Sequence, residues 1–242
     1  MVPKGLPSVI TDSAIGRTST GERTNTMRIG IIGTGSMAEA LGGQWVRAGH
    51  DVLVGGRDTG RAGALAERIG ARQAGNLRDA AEHGADAVLL AVPYAAAAGV
   101  VSGLAGTLAN RTRTLIDCTN PVAPGFILAT QGGPSAAERI AAAAPDAHVV
   151  KAFNLCHESV WRLSPPVFDG RPLAVPICGD DAQALDTVRR LVRDLGCEPL
   201  NGGGLDRAAL LEATAAFLIG LWVGEGADAQ AIAPPVEYAG TR

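Results

Sequence analysis

The sequence predicts an α/β fold in which a parallel sheet is flanked by helices and is followed by a small C-terminal α/β portion. Apolar runs of strand length alternate with helical patterns along the chain. Several of these runs are apolar at nearly every position, which is typical of parallel strands that are buried on both faces. A glycine-rich turn leads from the first run into a helix-forming stretch, and the later elements continue the alternation.

The composition narrows the range of partners. The 242 residues are 47% hydrophobic but only 4% aromatic, so the core must consist mainly of aliphatic side chains. The formal net charge is −3 and no basic block is present, which argues against nucleic acid or an anionic membrane as a partner. The four cysteines are scattered, which favours neither a disulfide framework nor a metal site. We expect a cytoplasmic protein without a metal.

The first informative stretch is residues 27–41, where an apolar strand meets the glycine-rich turn GTGSMA at 33–38 and a helix predicted over 38–48. In such a strand–turn–helix unit, Gly33 permits the tight turn and Gly35 lets backbone amides approach a pyrophosphate. Ala38 supplies the small third residue that helix packing requires. The helix N-terminus offers unpaired N–H groups to the phosphates. The pattern predicts a Rossmann-like, dinucleotide-binding sheet.

The second strand, predicted over 51–58, ends where such a sheet selects its nucleotide. Proteins that bind NAD carry an Asp or Glu there for the ribose 2′-hydroxyl, but this chain has Gly55-Gly56-Arg57, with Arg61 one helical turn later. A guanidinium pairs well with a 2′-phosphate. The alternative is that both arginines are solvated residues at the start of the helix predicted over 58–69, and Asp58 leaves a carboxylate nearby. The arginines favour NADP.

The middle of the chain continues the alternation of strands and helices. The sequence predicts a strand over 71–73, a helix over 77–83, an apolar strand over 86–94, a helix through residue 108 and a strand over 114–121.

Two of these strands end in polar or aromatic residues at the edge where ligands bind in open α/β sheets. Tyr94 is expected either to stack on a ligand ring or to cap the next helix. Thr119 and Asn120 are expected either to bind a nicotinamide carboxamide or to form the turn before Pro121.

The C-terminal part contains three further helices. Ser135 and Glu138 form a capping-box pattern at the start of a helix predicted over 135–144. A sixth strand begins at 148, followed by a strand over 172–181, a helix over 181–195 and a strand over 197–200. The last helix, over 205–223, is apolar nearly all round and is interrupted at Glu212 and Thr214; its unbroken apolar part is too short to span a bilayer. We expect it to be buried in the core, in a subunit interface or under a ligand.

The chain is expected to divide into four parts. Residues 1–26, which are rich in Ser, Thr, Gly and Pro, are predicted to be a disordered extension, and 233–242 a loose tail. Residues 27–150 are predicted to be the dinucleotide-binding domain, and 151–232 a smaller portion for substrate binding and dimerisation.

Taken together, the motifs resemble the deazaflavin (coenzyme F420)-dependent NADP oxidoreductases, which pass a hydride between NADP and a deazaflavin. The resemblance runs from Met27 to about Gly226, and the reductase domains of membrane metalloreductases share its elements. It rests on the order of GTGSMA at 33–38, VGGR at 54–57, VP at 92–93, VVKAFN at 149–154, VPICGDD at 175–181 and CEPLNGGGLDRAALLE at 197–212.

The resemblance also implies roles for individual residues. Arg57 would bind the 2′-phosphate, Arg61 stands where a lysine is common, and Gly56 stands where family members often have a serine. Ala152 and Asn154 would line the floor of the hydride-transfer site, and Asn154 replaces a histidine of some members. The cofactor-binding residues predicted from the motifs and the resemblance are Gly33, Thr34, Gly35, Ser36, Met37, Gly56, Arg57, Arg61, Val92, Pro93, Asn120, Ala152 and Asn154.

The function implied is hydride transfer between NADPH and a deazaflavin-type or other planar organic acceptor, with coenzyme F420 as a candidate co-substrate. One alternative is an NADPH-dependent reductase of an imine or carbonyl intermediate in biosynthesis, and another is a non-catalytic NADP-binding sensor. His157 and Glu158 are either an acid–base pair or the start of a surface helix, so no catalytic residue is assigned. A homodimer formed through the last helix is expected.

Overall fold

The computed structural model describes residues 26–109, 113–228 and 232. Apart from Thr26, the extension predicted over 1–26 lies outside the described residues. The whole of the tail predicted over 233–242 lies outside them as well.

The described residues form twelve strands and eight α-helices. In chain order the strands are β1 Arg28–Ile32, β2 Asp51–Gly55, β3 Gln73–Gly75, β4 Ala87–Leu90, β5 Thr114–Asp117, β6 Val122–Ala123, β7 Ile127–Leu128, β8 His148–Lys151, β9 Val167–Phe168, β10 Arg171–Pro172, β11 Ala174–Gly179 and β12 Glu198–Gly203. The helices are α1 Ser36–Arg47, α2 Thr59–Ile69, α3 Leu77–His83, α4 Tyr94–Leu108, α5 Ala136–Ala143, α6 Glu158–Trp161, α7 Ala182–Asp194 and α8 Ala208–Ile219. A 3-10 turn, Leu205–Arg207, precedes α8, and a π-helical turn, Gly220–Gly224, follows it.

Eight strands form one sheet in the order β12-β11-β8-β5-β4-β1-β2-β3. The strands from β8 to β3 are parallel, and their order is the one found in Rossmann folds. The prediction of an α/β, Rossmann-like fold is therefore confirmed.

The sheet is mostly rather than wholly parallel, which corrects one part of the prediction. β11 runs antiparallel to β8, with Cys178 opposite Lys151, and β12 is parallel to β11. An antiparallel pair needs no crossover helix that packs back on the sheet, and the connection from β8 to β11 contains only the short α6 and the β9–β10 hairpin. Because β11 and β12 extend the same sheet, strands on both sides of residue 150 belong to one layer; the division at that residue remains a prediction.

Helices cover both faces of the sheet. On one face α1, α2 and α7 pack with side chains such as Leu41, Leu65 and Val188, and on the other α3, α4 and α5 pack with Ala80, Val101 and others. The core is largely aliphatic, as the composition predicts.

Helix α1 ties the early and late parts of the chain together. The side-chain amide of Gln44 donates to the carbonyl oxygens of Trp161 and Leu163, at 2.8 and 2.7 Å. The indole N–H of Trp45 donates to the carbonyl oxygen of Leu191 at 3.3 Å. These contacts join α1 to α6 and α7.

Helix α8 is buried in the core on one side only, so burial of its other side in a subunit interface or under a ligand stays a prediction. Only its inner side is buried, whereas Leu210 and Phe217 are 55% and 58% exposed and Val223, in the following turn, is 72% exposed. By length and composition the continuous helical stretch Leu205–Gly224 could also cross a membrane, contrary to the expectation from sequence, although core helices of soluble proteins meet the same criterion. The stretch continues through Glu212 because that carboxylate is buried and paired inside the protein.

Candidate cofactor and acceptor site

The glycine-rich turn lies at the point where the strand order reverses between β1 and β4. Gly33 has a φ of +130°, its N–H donates to the carbonyl oxygen of Gly55 at 2.9 Å, and a Cβ at this position would overlap the carbonyl oxygen of Ala91. A residue with a side chain would therefore be strained and would also clash. Crevices at such switch points are where open α/β sheets bind their ligands.

The N-terminus of α1 opens towards this crevice. Gly35 is the N-cap residue, in an extended conformation, and no side chain among the described residues caps the helix. The amides of the first turn are therefore left for an anion, which helix N-termini attract through their N–H groups and dipole.

A cavity of about 200 Å³ lies at this crevice. It brings together seven of the predicted cofactor residues, namely Gly33, Thr34, Gly35, Gly56, Arg57, Val92 and Pro93. Ser36 is exposed at the start of α1, and Arg61 is exposed on α2; neither lines this cavity.

The two charged residues that follow β2, Arg57 and Asp58, are placed differently. Arg57 is exposed on the cavity wall, and its guanidinium forms no ion pair within the described part of the chain. Asp58 is the N-cap of α2, and its carboxylate accepts from the backbone N–H of Arg61 at 3.1 Å. The carboxylate near the predicted ribose site is thus used in capping.

Gly56 is also constrained. A Cβ there would lie 2.9 Å from the Thr34 methyl carbon and 3.1 Å from the carbonyl oxygen of Asp58. A serine at position 56, which members of the F420-dependent family often have, would therefore require Thr34 or Asp58 to move.

A second cavity, of about 480 Å³ and largely apolar, lies beyond the N-terminus of α1, at the ends of β5 and β8. Met37, Asn120 and Asn154 of the predicted set line it, together with Cys118, Phe153 and Trp222. Ala152 is completely buried beside Phe153 and does not line it. Ten of the thirteen predicted cofactor residues therefore line one of the two cavities, whereas Ser36, Arg61 and Ala152 line neither. The roles of all thirteen in binding remain predictions.

The floor of the second cavity is held by an aromatic cluster. Phe153 has a φ of +61°, a conformation that costs on the order of 1–3 kcal/mol for a residue with a side chain. Its ring packs edge-to-face against Trp45 and Trp161, with ring centroids 5.9 and 5.5 Å apart. This packing compensates for the strained backbone and turns the chain so that Asn154 follows at the cavity.

Asn120 and Asn154 form an amide pair on the floor. Asn120 Nδ2 donates to the backbone oxygen of Asn154 at 2.7 Å, and Asn154 Nδ2 donates to Asn120 Oδ1 at 3.0 Å and to the carbonyl oxygen of Leu211 at 3.2 Å. Asn154 Oδ1 is buried without a partner among the described residues, as is Thr119 Oγ1. Buried polar atoms of this kind call for a ligand or water partner.

The other candidate groups of the sequence are placed as follows. His157 Nε2 is 2.8 Å from Glu158 Oε2 at the rim of the second cavity, and His157 also caps α6, so both roles considered for this pair remain open. Tyr94 is the first residue of α4 and lines a separate cavity of about 260 Å³ with Arg139.

Two thiols line the second cavity. Burial raises the pKa of Cys118 to about 12 and that of Cys156 to about 11. Neither is a thiolate at neutral pH, so neither is prepared as a nucleophile. No cluster of metal-ligating side chains occurs among the residues described.

Sequence reasoning missed a buried ion cluster beneath the floor. Lys151 Nζ is 2.9 Å from both Asp117 Oδ2 and Glu212 Oε1, and all three side chains are at most 1% exposed. Burial disfavours the charged lysine, but Asp117 and Glu212 outweigh it and raise the pKa of Lys151 above its usual value. The signal available in the sequence was a charged residue at the end of each of two apolar strands.

Residues 28–121 match the family model described as coenzyme F420-dependent NADP oxidoreductase. The metalloreductase STEAP3 of Rattus norvegicus is 31% identical over 198 residues, which are 81% of this chain but 38% of that protein. The chain thus spans well under half of this relative.

Two solved structures are similar along most of the chain. A protein of Arthrobacter sp. FB24, described as a candidate F420-dependent NADP-reductase, is 25% identical with a TM-score of 0.73, covering 83% of this chain and 95% of that one. The hypothetical protein SMa0349 of Sinorhizobium meliloti is 27% identical with a TM-score of 0.66, covering 76% and 88%. The resemblance predicted from the motifs is confirmed over residues 28–121.

Proposed function

Because residues 28–121 match the coenzyme F420-dependent NADP oxidoreductases, we propose that the chain is an NADP(H)-dependent oxidoreductase. It transfers a hydride between NADPH and a deazaflavin-type or other planar organic acceptor. The observation that supports this most strongly is the adjacency of two cavities at the carboxyl edge of the sheet: one is lined by the glycine turn and Arg57, and the other is apolar and lined by Met37 and Asn154.

The residues of the first cavity fit the phosphate and ribose end of NADP. Gly33 and Gly35 leave the backbone accessible, and the uncapped N-terminus of α1 suits the pyrophosphate. Arg57 is available for a 2′-phosphate, whereas Asp58, the residue that could otherwise favour NAD, caps α2.

The second cavity fits a nicotinamide with a planar acceptor beside it. When bound, the nicotinamide supplies or receives the hydride. The chain contributes binding, orientation and exclusion of water: Met37, Phe153 and Trp222 provide apolar surface, and the unpaired Asn154 Oδ1 is an acceptor for a ligand N–H. Hydride transfer between stacked rings requires positioning more than acid–base groups, so a site with few ionisable side chains suffices.

The direct test is NADPH oxidation with a panel of acceptors: coenzyme F420, FMN, FAD, and small cyclic imines and carbonyl compounds. Turnover with F420 or a flavin supports the proposal. Turnover with a small imine or carbonyl alone supports the second candidate, a reductase of a biosynthetic intermediate, which is favoured by Asn154 replacing the histidine of some members. Tight NADPH binding without turnover of any acceptor would instead indicate a sensor.

We also propose a homodimer formed through α8. Glu212 is the single charged residue of the helix and faces inward, so the outer side presents Leu210 and Phe217 without any charge. Depletion of charge around exposed aromatic side chains is typical of interface cores. A second copy offers the same apolar face, as an isologous contact requires. The inward ion cluster holds α8 to the sheet, which argues against the helix leaving it to span a membrane.

The chain is further proposed to be cytoplasmic, because all four cysteines are free thiols. Fractionation of cells that express the tagged chain tests this; recovery in the membrane fraction would contradict it.

A further inference from the structure

The ion cluster of Asp117, Lys151 and Glu212 is fully satisfied. The three protons of the Lys151 ammonium go to Asp117 Oδ2, Glu212 Oε1 and the carbonyl oxygen of Thr119, the last at 2.6 Å. Asp117 Oδ1 accepts from the backbone N–H of Thr119. An apolar replacement of such a buried cluster is often as stable or more so, so stability alone does not explain three buried charges.

The cluster joins the floor of the apolar cavity to its wall. Asp117 and Lys151 end β5 and β8, and the floor residues Cys118, Asn120 and Asn154 follow within three positions. Glu212 lies on α8, whose C-terminal end and following turn supply the wall through Ile219 and Trp222.

Glu212 fixes α8 in both rotation and axial position. Its carboxylate accepts from Lys151 and also from the backbone N–H groups of Ala136 and Ala137, at 3.0 and 3.3 Å, at the start of α5. Ile219 is seven residues later and therefore on the same side of the helix. A second tie acts one residue away, where Asn154 Nδ2 donates to the carbonyl oxygen of Leu211.

We propose that the Asp117–Lys151–Glu212 cluster is a positioning device that sets the distance between the floor and the α8 wall of the acceptor cavity, and thereby its selectivity for acceptor size. Directional ionic contacts hold α8 at one register, whereas an apolar contact of the same volume permits sliding and rotation. The selectivity part of this inference rests on the proposed oxidoreductase function; the positioning of α8 does not.

The test compares the wild type with the variant Asp117→Leu/Lys151→Met/Glu212→Leu, which replaces the cluster by apolar side chains. Trp45 and Trp161 are buried and Trp222 is 41% exposed, so acrylamide quenching of tryptophan fluorescence reports chiefly on Trp222 at the wall. We expect thermal stability close to that of the wild type, stronger quenching, and a kcat/KM ratio between the best and the other acceptors reduced on the order of 10- to 100-fold.

Glu212→Gln is the second variant, in case the triple variant does not fold. It keeps the length of the side chain and one acceptor for Lys151. Its quenching and acceptor selectivity should therefore lie closer to those of the wild type than the values of the single variant Glu212→Leu, which is measured beside it. Glu138→Gln is the matched control, because Glu138 caps the same end of α5 without contacting Lys151. This control should leave both readouts unchanged.

Folded cluster variants with wild-type quenching and acceptor ratios would overturn the inference, because the cluster would then be merely structural. A wild type that turns over no acceptor removes the proposed function, while the quenching measurement still decides whether the cluster positions α8.

Discussion

At the scale of the residue, the contrast between Arg57 and Asp58 is the most informative. The two are neighbours in sequence, and either charge could face the ribose of a bound dinucleotide. In the folded chain the carboxylate is used in capping α2, and the guanidinium remains on the cavity wall without an ion pair among the described residues. In the proposed function, the choice of NADP over NAD therefore depends on the Asp58 helix cap as well as on Arg57.

Replacing Arg57 by Gln should weaken NADPH binding and leave NADH binding nearly unchanged. The lost interaction is a charge-assisted hydrogen bond to the 2′-phosphate, worth about 1.5–3 kcal/mol, which corresponds to about a 10- to 150-fold higher Kd. Calorimetry with both cofactors measures it. Arg193→Gln, an exposed arginine of α7, is the control; an equal loss for NADPH and NADH in R57Q would refute the assignment.

The thiol of Cys156 should react slowly with iodoacetamide in the folded protein. Burial raises its pKa from 9.0 to about 11, so the thiolate fraction at pH 8 is about 100-fold below that of an ordinary thiol. Mass spectrometry of the labelled peptide should show a rate that rises with pH up to about 11, with the urea-denatured chain as the control. Rapid labelling of the native chain at pH 8 would contradict this.

The raised pKa of Cys156 also makes the free energy of unfolding decrease at high pH. The folded state holds the Cys156 proton more tightly than the unfolded state does. The resulting contribution to the free energy of unfolding is therefore fully present below pH 9 and is lost as the pH rises from 9 to about 11.

The sequence could predict those site residues that belong to local motifs, but not those that depend on contacts between distant parts of the chain. Gly33, Arg57 and Asn154 belong to local motifs that can be recognised along the chain. Glu212 pairs with Lys151 across 61 residues, and in the sequence it only interrupts an apolar helix. No periodicity or spacing reveals such a partner before the strands and the helix are assembled.

At the scale of the element, α8 has two unlike sides. The inner side carries Glu212 and small alanines that allow close approach, and the outer side carries Leu210 and Phe217. From sequence the helix could only be described as apolar all round, because the one charge that defines its inner side resembles an interruption.

Phe217→Glu should convert the proposed dimer to a monomer. The side chain is 58% exposed in the single chain, so the folded monomer should lose less than about 0.5 kcal/mol. Dimerisation should weaken by about 2 kcal/mol or more, as replacement of a central aromatic residue of an interface does. Light scattering at micromolar concentration measures the mass.

Leu163→Glu is the matched control, since Leu163 is 44% exposed away from α8. A wild type that is already a monomer at this concentration would remove the dimer proposal.

Elements with caps and full periodicity were predictable, whereas very short ones were not. α3 has the predicted bounds, Leu77–His83, and the capping box of Ser135 and Glu138 is present at α5. The β6–β7 and β9–β10 hairpins have two-residue strands, which are too short to show an alternating pattern.

At the scale of the whole molecule, the continuous sheet determines how the two predicted portions behave. Strand direction could not be predicted, since an apolar run reads the same in a parallel and an antiparallel strand; the reversal between β8 and β11 was missed for that reason. Gln44 and Trp45 of the first portion donate to backbone oxygens of the second. The two portions therefore share a core.

We expect one cooperative unfolding transition for the chain. Urea curves from tryptophan fluorescence and from far-ultraviolet circular dichroism should coincide. Gln44→Leu should lower both midpoints together and reduce the unfolding free energy by about 1–3 kcal/mol, because the buried carbonyl of Trp161 and the part-buried carbonyl of Leu163 lose their donor. Gln183→Leu on the exposed start of α7 is the control, and two separate transitions would show that the portions unfold independently.

The ion cluster also has a consequence for the order in which the protein folds. Its three side chains are brought together only when loops of 34 and 61 residues have closed, and distant contacts of this kind form late because the entropy of closure must be met first. The glycine turn, by contrast, follows β1 directly, and the N–H of Gly33 bonds to Gly55 of the next strand in the chain. We therefore expect the glycine turn to form early in folding and the α8 wall of the proposed acceptor cavity to be set last.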